Sequence, residues 1–584
     1  MIKKLFNQML LTQVLSTMTV TLCMLIDSIM IGRFLGVDSM SAYGFSTPLL
    51  LVFAALGAMI SAGIQVVCGK TVGRGDREGT DSCFSVSVFL IVVIAVVGMA
   101  LILIFLRPLT TLLGAGKPGA DNPVFDLTKD YIIGFILGAP AFLAAQIMVP
   151  YLQLGGCRTR LVVAVLAMTI TDVVLDLLNV LVFHGGTLGM GLASSISYYV
   201  AFFIGIGYFL RKDCLFHFRR GLLQKEMGLQ MLGSGMPSII NQVSTVLLVF
   251  LLNHILMGLA GSTGVAAYSV LTTVSNICFC VGAGIGAVAL TLSALFYADQ
   301  DRTSLHEVIR VMTRNCLLLC LPLTVLVLVA ARPLVTLFLG SNVDAKELAV
   351  SGVRLFSLTL LVSTLNTSLK NYYLGTGRVR LSELISGLQN FCMPALFALL
   401  LSRLFGINGV WLCFVFGETV TLLLISLMVW RRKKRVTIST EAYSLLDDDF
   451  GAAPDKIFER VVETEADCVD ISRAVCDFCE ARGLDDRTST LVGLCIEEMT
   501  LNIVTHGFTK DNRAHNVDVR LVLGDDANVI RIRDNCRHFD PTNYLELHQT
   551  LDPIAHIGIR MVMAMVREAT YVNPLGLNNL TLVL

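Results

Sequence analysis

The sequence predicts an all-α polytopic membrane bundle of 12 transmembrane helices, arranged as two six-helix repeats, followed by a soluble α+β sandwich domain. Three observations predict this. The 584 residues are 55% hydrophobic and 15% charged, whereas a soluble domain carries about a quarter charged residues. Apolar runs long enough to cross a bilayer recur as far as Trp430 and not beyond. Short motifs return at a nearly fixed offset between the two halves.

The runs of spanning length fall at 10–31, 45–67, 86–105, 132–154, 161–183 and 188–210, then at 239–257, 266–290, 316–339, 353–374, 385–405 and 409–430. Lys3 and Lys4 before the first run imitate a signal peptide. That run is too long, lacks a small-residue cleavage site and holds Asp27, so a retained span is expected. The connectors alternate in charge. One set holds Lys3 and Lys4; Lys70, Arg74 and Arg77; Arg158 and Arg160; five bases from Arg211 to Lys225; Arg302, Arg310 and Arg314; Arg378 and Arg380; and Arg431 through Arg435. The other set holds little more than Arg33, Arg107, Lys117, Lys129, Arg332, Lys346 and Arg403. The basic set belongs on the inside. Both termini are therefore expected in the cytoplasm, with the bundle in the plasma (inner) membrane. The formal net charge is zero, and no nucleic-acid partner is expected.

Adding 225 takes Ala42-Tyr43 to Ala267-Tyr268, Gly57-Ala58 to Gly282-Ala283, Asp76-Arg77 to Asp301-Arg302 and Arg107-Pro108 to Arg332-Pro333. Later an offset of 220 takes Leu154-Gly155 to Leu374-Gly375. Six spans per half make the repeat parallel, a form suited to rocking about a central cavity. The halves are read as 1–220 and 221–430. A linker, basic and then acidic through Asp447-Asp448-Asp449, covers 431–455, and the soluble domain covers 456–584.

Within the spans the carboxylates are the informative residues. A central Asp costs roughly 2.5–3.5 kcal/mol in a membrane helix, so Asp27 should face the bundle interior or a watery cavity. Asp172 and Asp176, four residues apart, share one helix face. Two like charges so close do not both ionise easily, so the pair is a candidate proton or cation switch. Glu418, Asn241, Gln242 and Asn253 are secondary cavity candidates, with interhelical hydrogen bonding as the plainer role of the amides. The 16 Cys are scattered through apolar runs, and the single Cys476-x-x-Cys479 reads as core packing. A P-loop is excluded. Gly63 precedes Gly69-Lys70-Thr71 at a spacing one residue too long, at the end of an apolar helix with no strand before it.

Over about residues 1–430 the chain resembles the multidrug and toxin extrusion (MATE) family. The resemblance rests on Asp27-Ser28-Ile29-Met30-Ile31-Gly32, on Gly73-Arg74-Gly75-Asp76, on Leu175-Asp176 and on the stretch from Gly189 to Ser197. It implies a cation site at Asp27, Asp172, Asp176 and Ser194, with H+ or Na+ as coupling ion. Asp172 stands where the family usually has Asn, and Ser194 where it usually has Thr. The implied role is export of amphipathic, cationic drugs or metabolites by antiport across the lipid bilayer.

In the soluble domain, 486–508 reads as a helix that places Glu498, Asn502 and His506 on one face. A carboxylate one turn before an amide can position water and Mg²⁺ on a nucleotide phosphate. Strands at 517–523 and 529–533 flank the turn Gly524-Asp525-Asp526. Asp534, Phe539-Asp540-Pro541 and Gly558 follow. This pattern resembles the GHKL ATPase fold of anti-sigma-factor serine kinases. The resemblance implies Glu498 as catalytic base, Asn502 as Mg²⁺ ligand, Asp534 as adenine-binding carboxylate, and His506 and Gly558 within an ATP/Mg²⁺ site. It also implies a sigma-regulon or anti-anti-sigma-like protein partner. Cys536, His538 and His556 replace three of the family's glycines, so weak nucleotide binding with little hydrolysis is expected. The leading expectation is a cation-coupled antiporter with a cytoplasmic nucleotide-binding regulatory domain. The alternatives are a membrane-tethered serine kinase or sensor, and a lipid-intermediate flippase.

Overall fold

The computed structural model describes residues 2–584 except 36, 116–122, 212–213, 340–342, 434–438, 448–449, 509–514, 525–526 and 543–556. Lys117, Lys212, Lys434, Arg435, Asp448, Asp449, Asp525, Asp526 and His556, which enter the sequence reading, lie outside the described residues.

The first half comprises α1 (Ile2–Met30), α2 (Val37–Gly73), α3 (Arg77–Ile104), α4 (Pro123–Ile136), α5 (Ala139–Leu154), α6 (Arg158–Leu178) and α7 (Gly186–Phe209). The second comprises α8 (Lys225–Gly261), α9 (Thr263–Ala298), α10 (Arg302–Leu339), α11 (Val343–Ser357), α12 (Leu360–Gly375), α13 (Val379–Phe405) and α14 (Ile407–Lys433). Helices α8 and α9 run on through Gly261, whose φ of 60° makes the break. Among the described residues nine helices are long and apolar enough to cross a membrane, and eleven spans result if the bent pairs α4–α5 (48°) and α11–α12 (50°) each count as one. These eleven coincide with the second to twelfth predicted spans. The first predicted span falls on α1, which is not among them, so twelve is not reached.

The helices are inside out relative to a soluble bundle. On α3, Asp81, Ser82, Ser85 and Ser87 are buried while Phe89, Val92, Val96 and Leu103 are exposed. An apolar exterior suits lipid, where backbone polar groups must be satisfied within the helix. The repeat is visible in hydrogen bonds. In the α2–α3 turn, Gly75 N donates to Val72 O and Asp76 N to Thr71 O; Gln300 N to Tyr297 O and Asp301 N to Phe296 O repeat this 225 residues on. Asp76 and Asp301 then cap the next helix, accepting from Gly79 N at 2.8 Å and Ser304 N at 2.9 Å. At the α5–α6 and α12–α13 turns the equivalence is 221, not 220. Gly156 N to Gln153 O matches Gly377 N to Leu374 O. Like letters pair Gly155 with Gly375, but the left-handed positions are Gly156 (φ 70°) and Gly377 (φ 80°).

The carboxy-terminal part is an antiparallel sheet in the order β1-β2-β3-β5-β4, with β1 (Ile457–Val462), β2 (Val517–Leu523), β3 (Asn528–Asp534), β4 (Glu568–Val572) and β5 (Asn578–Val583). Helices α15 (Glu465–Glu480), α16 (Asp486–Asn502) and α17 (Ile557–Met565) complete it. Thr464 and Asp467 form a reciprocal capping box at the start of α15. Val519, Leu521, Ile530 and Ile532 join Val475, Cys479, Val492 and Ile496 in one core, so Cys479 packs as expected. Alternation sends Arg520, Arg531 and Arg533 to the opposite face of the sheet.

Candidate functional site

Asp27 on α1 and Asp172 and Asp176 on α6 are all buried, at 9%, 4% and 0% exposure. Helices α1 and α6 pack together, and each carboxyl interacts electrostatically with the others. Asp27 meets Asp172 and Asp176 carboxyl to carboxyl within hydrogen-bonding range, a contact between acceptor oxygens that calls for a shared proton or a bound cation. Tyr43 and Tyr131 meet edge to face at 5.4 Å and face the same acids. Sequence reasoning missed them because a Tyr in an apolar run looks like core. Ser194 is buried on α7, and its carbonyl accepts from Ser197 Oγ at 2.7 Å; no bond to the carboxyls is seen among the described residues. Nor is any group of three or more His, Cys, Asp or Glu placed to hold a metal ion.

A cavity of about 740 Å³ lies between the halves, lined by α2, α5, α8, α9, α11, α12, α13 and α14. Asn241, Gln242 and Glu418 line it, and Asn253 is not among its lining residues. Its charged lining residues are Lys370 and Glu418. Glu418 Oε2 accepts from Asn366 at 2.7 Å and Oε1 from Gln389 at 3.3 Å. Toward the α2–α3 turn the halves close on each other. A Cβ on Gly73 would come 2.6 Å from Leu295 O, and one on Gly69 3.1 Å from Ala294 Cβ.

In the carboxy-terminal domain, Glu498 and Asn502 lie on α16. Asn502 Nδ2 donates to Glu498 O at 2.7 Å, leaving Oδ1 as the acceptor that a nucleotide-bound Mg²⁺ needs. A Cβ on Gly558 would overlap Glu498 Oε2, so this glycine admits the carboxylate. His506 sits exposed on a π turn, Ile503–Gly507, which interrupts the spacing that would align it with Glu498. Asp534 Oδ1 accepts from Cys536 N and from Asn578 Nδ2, both at 2.8 Å. Burial pushes the Asp534 carboxyl up, against these hydrogen bonds. Cys536 is itself buried beside Gly507, filling space that a glycine would leave open.

This domain grips turns of both halves. Arg520 Nη1 pairs with Asp301 Oδ1 at 2.6 Å, Arg531 Nη2 with Asp301 Oδ2 at 2.8 Å and Arg533 Nη2 with Asp299 Oδ2 at 3.0 Å; Arg531 Nη1 also pairs with Asp299. On the first half, Arg77 Nη2 donates to Tyr571 O at 3.4 Å and lies 3.5 Å from Asp540. Arg158 Nη2 donates to Leu575 O at 3.0 Å. In the linker, Leu445 O accepts from Arg378. All four repeat-related turns are thus engaged. Tyr571 Oη donates to Asn578 Oδ1 at 2.6 Å, so contacts run from Asp534 through Asn578 and Tyr571 to Arg77.

The MatE family model matches residues 13–178 and 237–399, and the model of a histidine kinase-like ATPase domain matches 462–584. The chain is 22% identical over 414 residues to the multidrug export protein MepA of Staphylococcus saprophyticus, covering 69% of this chain and 88% of that protein. It is 24% identical over 415 residues to the probable multidrug resistance protein NorM of Thermotoga maritima, covering 68% and 87%. A solved structure described as the outward-facing conformation of a multidrug resistance MATE family transporter superposes with a TM-score of 0.68 at 20% identity, over 74% of this chain and 96% of that one.

Proposed function

The chain belongs to the MatE family of multi-pass membrane transporters, with a histidine kinase-like ATPase domain following the bundle, and from that premise we propose a cation-coupled antiporter that exports amphipathic drugs or metabolites from the cytoplasm. In this reading 1–220 and 221–430 are the halves that rock, 431–455 is the linker, and 456–584 is a cytoplasmic regulatory domain. The observation that carries the coupling is the meeting of Asp27, Asp172 and Asp176. A proton held at an Asp27 or Asp176 oxygen relieves the repulsion among three buried carboxyls, and its departure restores it. That gives the first half two electrostatic states for the gradient to drive. This reading takes the proton as the coupling ion because a bound proton directly removes one of the three mutually repelling charges. One proton moving down 100 mV supplies about 2.3 kcal/mol, enough for a gradient on the order of fortyfold.

Nucleotide regulates in this reading and does not fuel transport. Asn502 would hold the Mg²⁺ on the phosphates, and the Asp534–Asn578–Tyr571–Arg77 contacts would carry occupancy to the α2–α3 turn. The flippase alternative is set aside because a cavity with one Lys and one Glu is not the strongly basic wall that an anionic lipid intermediate calls for. Dye efflux in everted vesicles, with pH and sodium gradients imposed separately and ATP present or absent, tests the reading. The expected result is efflux on a pH gradient without ATP, at a rate that ATP changes. Efflux on ATP with no gradient would sink it.

A further inference from the structure

The cavity between the halves holds a charge that export of cations does not require. Lys370 on α12 is 8% exposed and lines the cavity. Its ammonium donates to Asn241 Oδ1 at 2.9 Å, and the same oxygen accepts from Asn390 Nδ2 at 2.9 Å. Asn241 is its one hydrogen-bond partner among the described residues. An ammonium carries three donors, so donors remain with no protein acceptor.

Glu418 is the nearby acid, and its oxygens are already engaged by Asn366 and Gln389. Asn366, which binds Glu418, stands one turn before Lys370 on α12, so the two charges are neighbours in the cavity wall. They are not joined as an ion pair. Lysine is almost never buried this far unless paired, and an ammonium in a low-dielectric site stays costly until an anion answers it. Among small and polar side chains the cavity wall carries four aromatic rings, Tyr268, Phe279, Phe356 and Phe414.

We propose that Lys370 is a subsite for the carboxylate of the exported molecule, so that the cavity takes zwitterionic aromatic amphiphiles. Glu418 then receives the cationic end and the four rings the apolar body. The inference rests on the export reading and narrows its substrate class.

The test uses the full-length protein in lipid nanodiscs, with no gradient. The probes are one xanthene dye as its zwitterionic free acid and as its cationic methyl ester. A charge-assisted hydrogen bond predicts that the acid binds roughly ten- to a hundredfold more tightly than the ester. Lys370→Gln should bring the ratio close to one, and Lys370→Arg should keep most of the preference. A wild-type ratio of one overturns the proposal, even if Lys370→Gln proves too unstable to measure. A preference that survives in folded Lys370→Gln also overturns it. Acid preference in nanodiscs together with gradient-insensitive vesicles upholds the subsite and defeats the export reading alone. Failure of both dyes to bind overturns the subsite.

Discussion

Removing a charge from the Asp27–Asp172–Asp176 cluster should separate stability from function. Asp27→Asn keeps the shape of the side chain and takes away one of three mutually repelling carboxyls. We expect a melting temperature equal to or above wild type, a gain of about 0.5–2 kcal/mol as when other functional strain is relieved, together with loss of gradient-driven efflux. Thermal unfolding in detergent beside vesicle efflux checks both. Undiminished efflux would remove Asp27 from the coupling. The three acids were legible in the sequence because a carboxylate in an apolar run is conspicuous. Their convergence was not, since nothing local says that α1 lies against α6. Lys370 escaped notice for a related reason. It sits near the end of its run, where a membrane-edge lysine with its head in the interface is unremarkable.

The eleven apolar spans were legible in place and order, because length and hydropathy set them, but several helices begin well before the predicted run, as at Lys225 and Arg302. Breaks in the helices were not. Gly261, the two bent pairs and the π turn at 503–507 depend on packing and leave only weak marks on composition. The π turn matters most, because it takes His506 out of line with Glu498 and leaves Glu498, Asn502 and Asp534 as the polar set. At this scale Gly558→Ala is the informative change. The added methyl would collide with the Glu498 carboxylate, so Mg²⁺-dependent ATP binding should fall at least tenfold, about 1.4 kcal/mol, with the helices of the bundle undisturbed. Asp534→Asn should also weaken binding while leaving the Asn502 side intact. Calorimetry on the full chain measures both. Wild-type binding is itself expected to be weak, with little turnover, because Cys536 occupies space beside the site. Tight binding with rapid hydrolysis would contradict this.

At the scale of the whole molecule, the grip of the carboxy-terminal domain on three of the four turns, with its linker on the fourth, is the feature least readable in the sequence. Arg520, Arg531 and Arg533 alternate with core residues on β2 and β3, a pattern that ordinarily marks a solvated face. Here they are 3–5% exposed because they are docked on Asp299 and Asp301. In this arrangement the halves are closed at the gripped end, so docking should favour that state and slow its opening. Removing one partner of a buried ion cluster typically costs about 3–5 kcal/mol. Asp301→Arg, which places a fourth base among three, should release the domain. Hydrogen exchange along β2 and β3 should rise, and ATP should no longer change the efflux rate. Combining Asp301→Arg with Arg531→Asp should restore part of both.

Acidity offers a second handle on the same contact. Burial pushes the Asp301 carboxyl up, but Arg531, Arg520 and Arg533 outweigh it and hold it well below the usual carboxylate range. A group depressed on docking contributes its stabilisation fully above its free value of about 3.9 and loses it as pH falls through the docked value. Docking should therefore persist unchanged from neutral pH to about pH 5 and weaken only below the ordinary carboxylate range. If the domain instead came away between pH 7 and 5, as read by exchange in β3, the Asp301 cluster would not be what holds it. The ATP response would then have to reach the transporter through the Arg77 and Arg158 contacts.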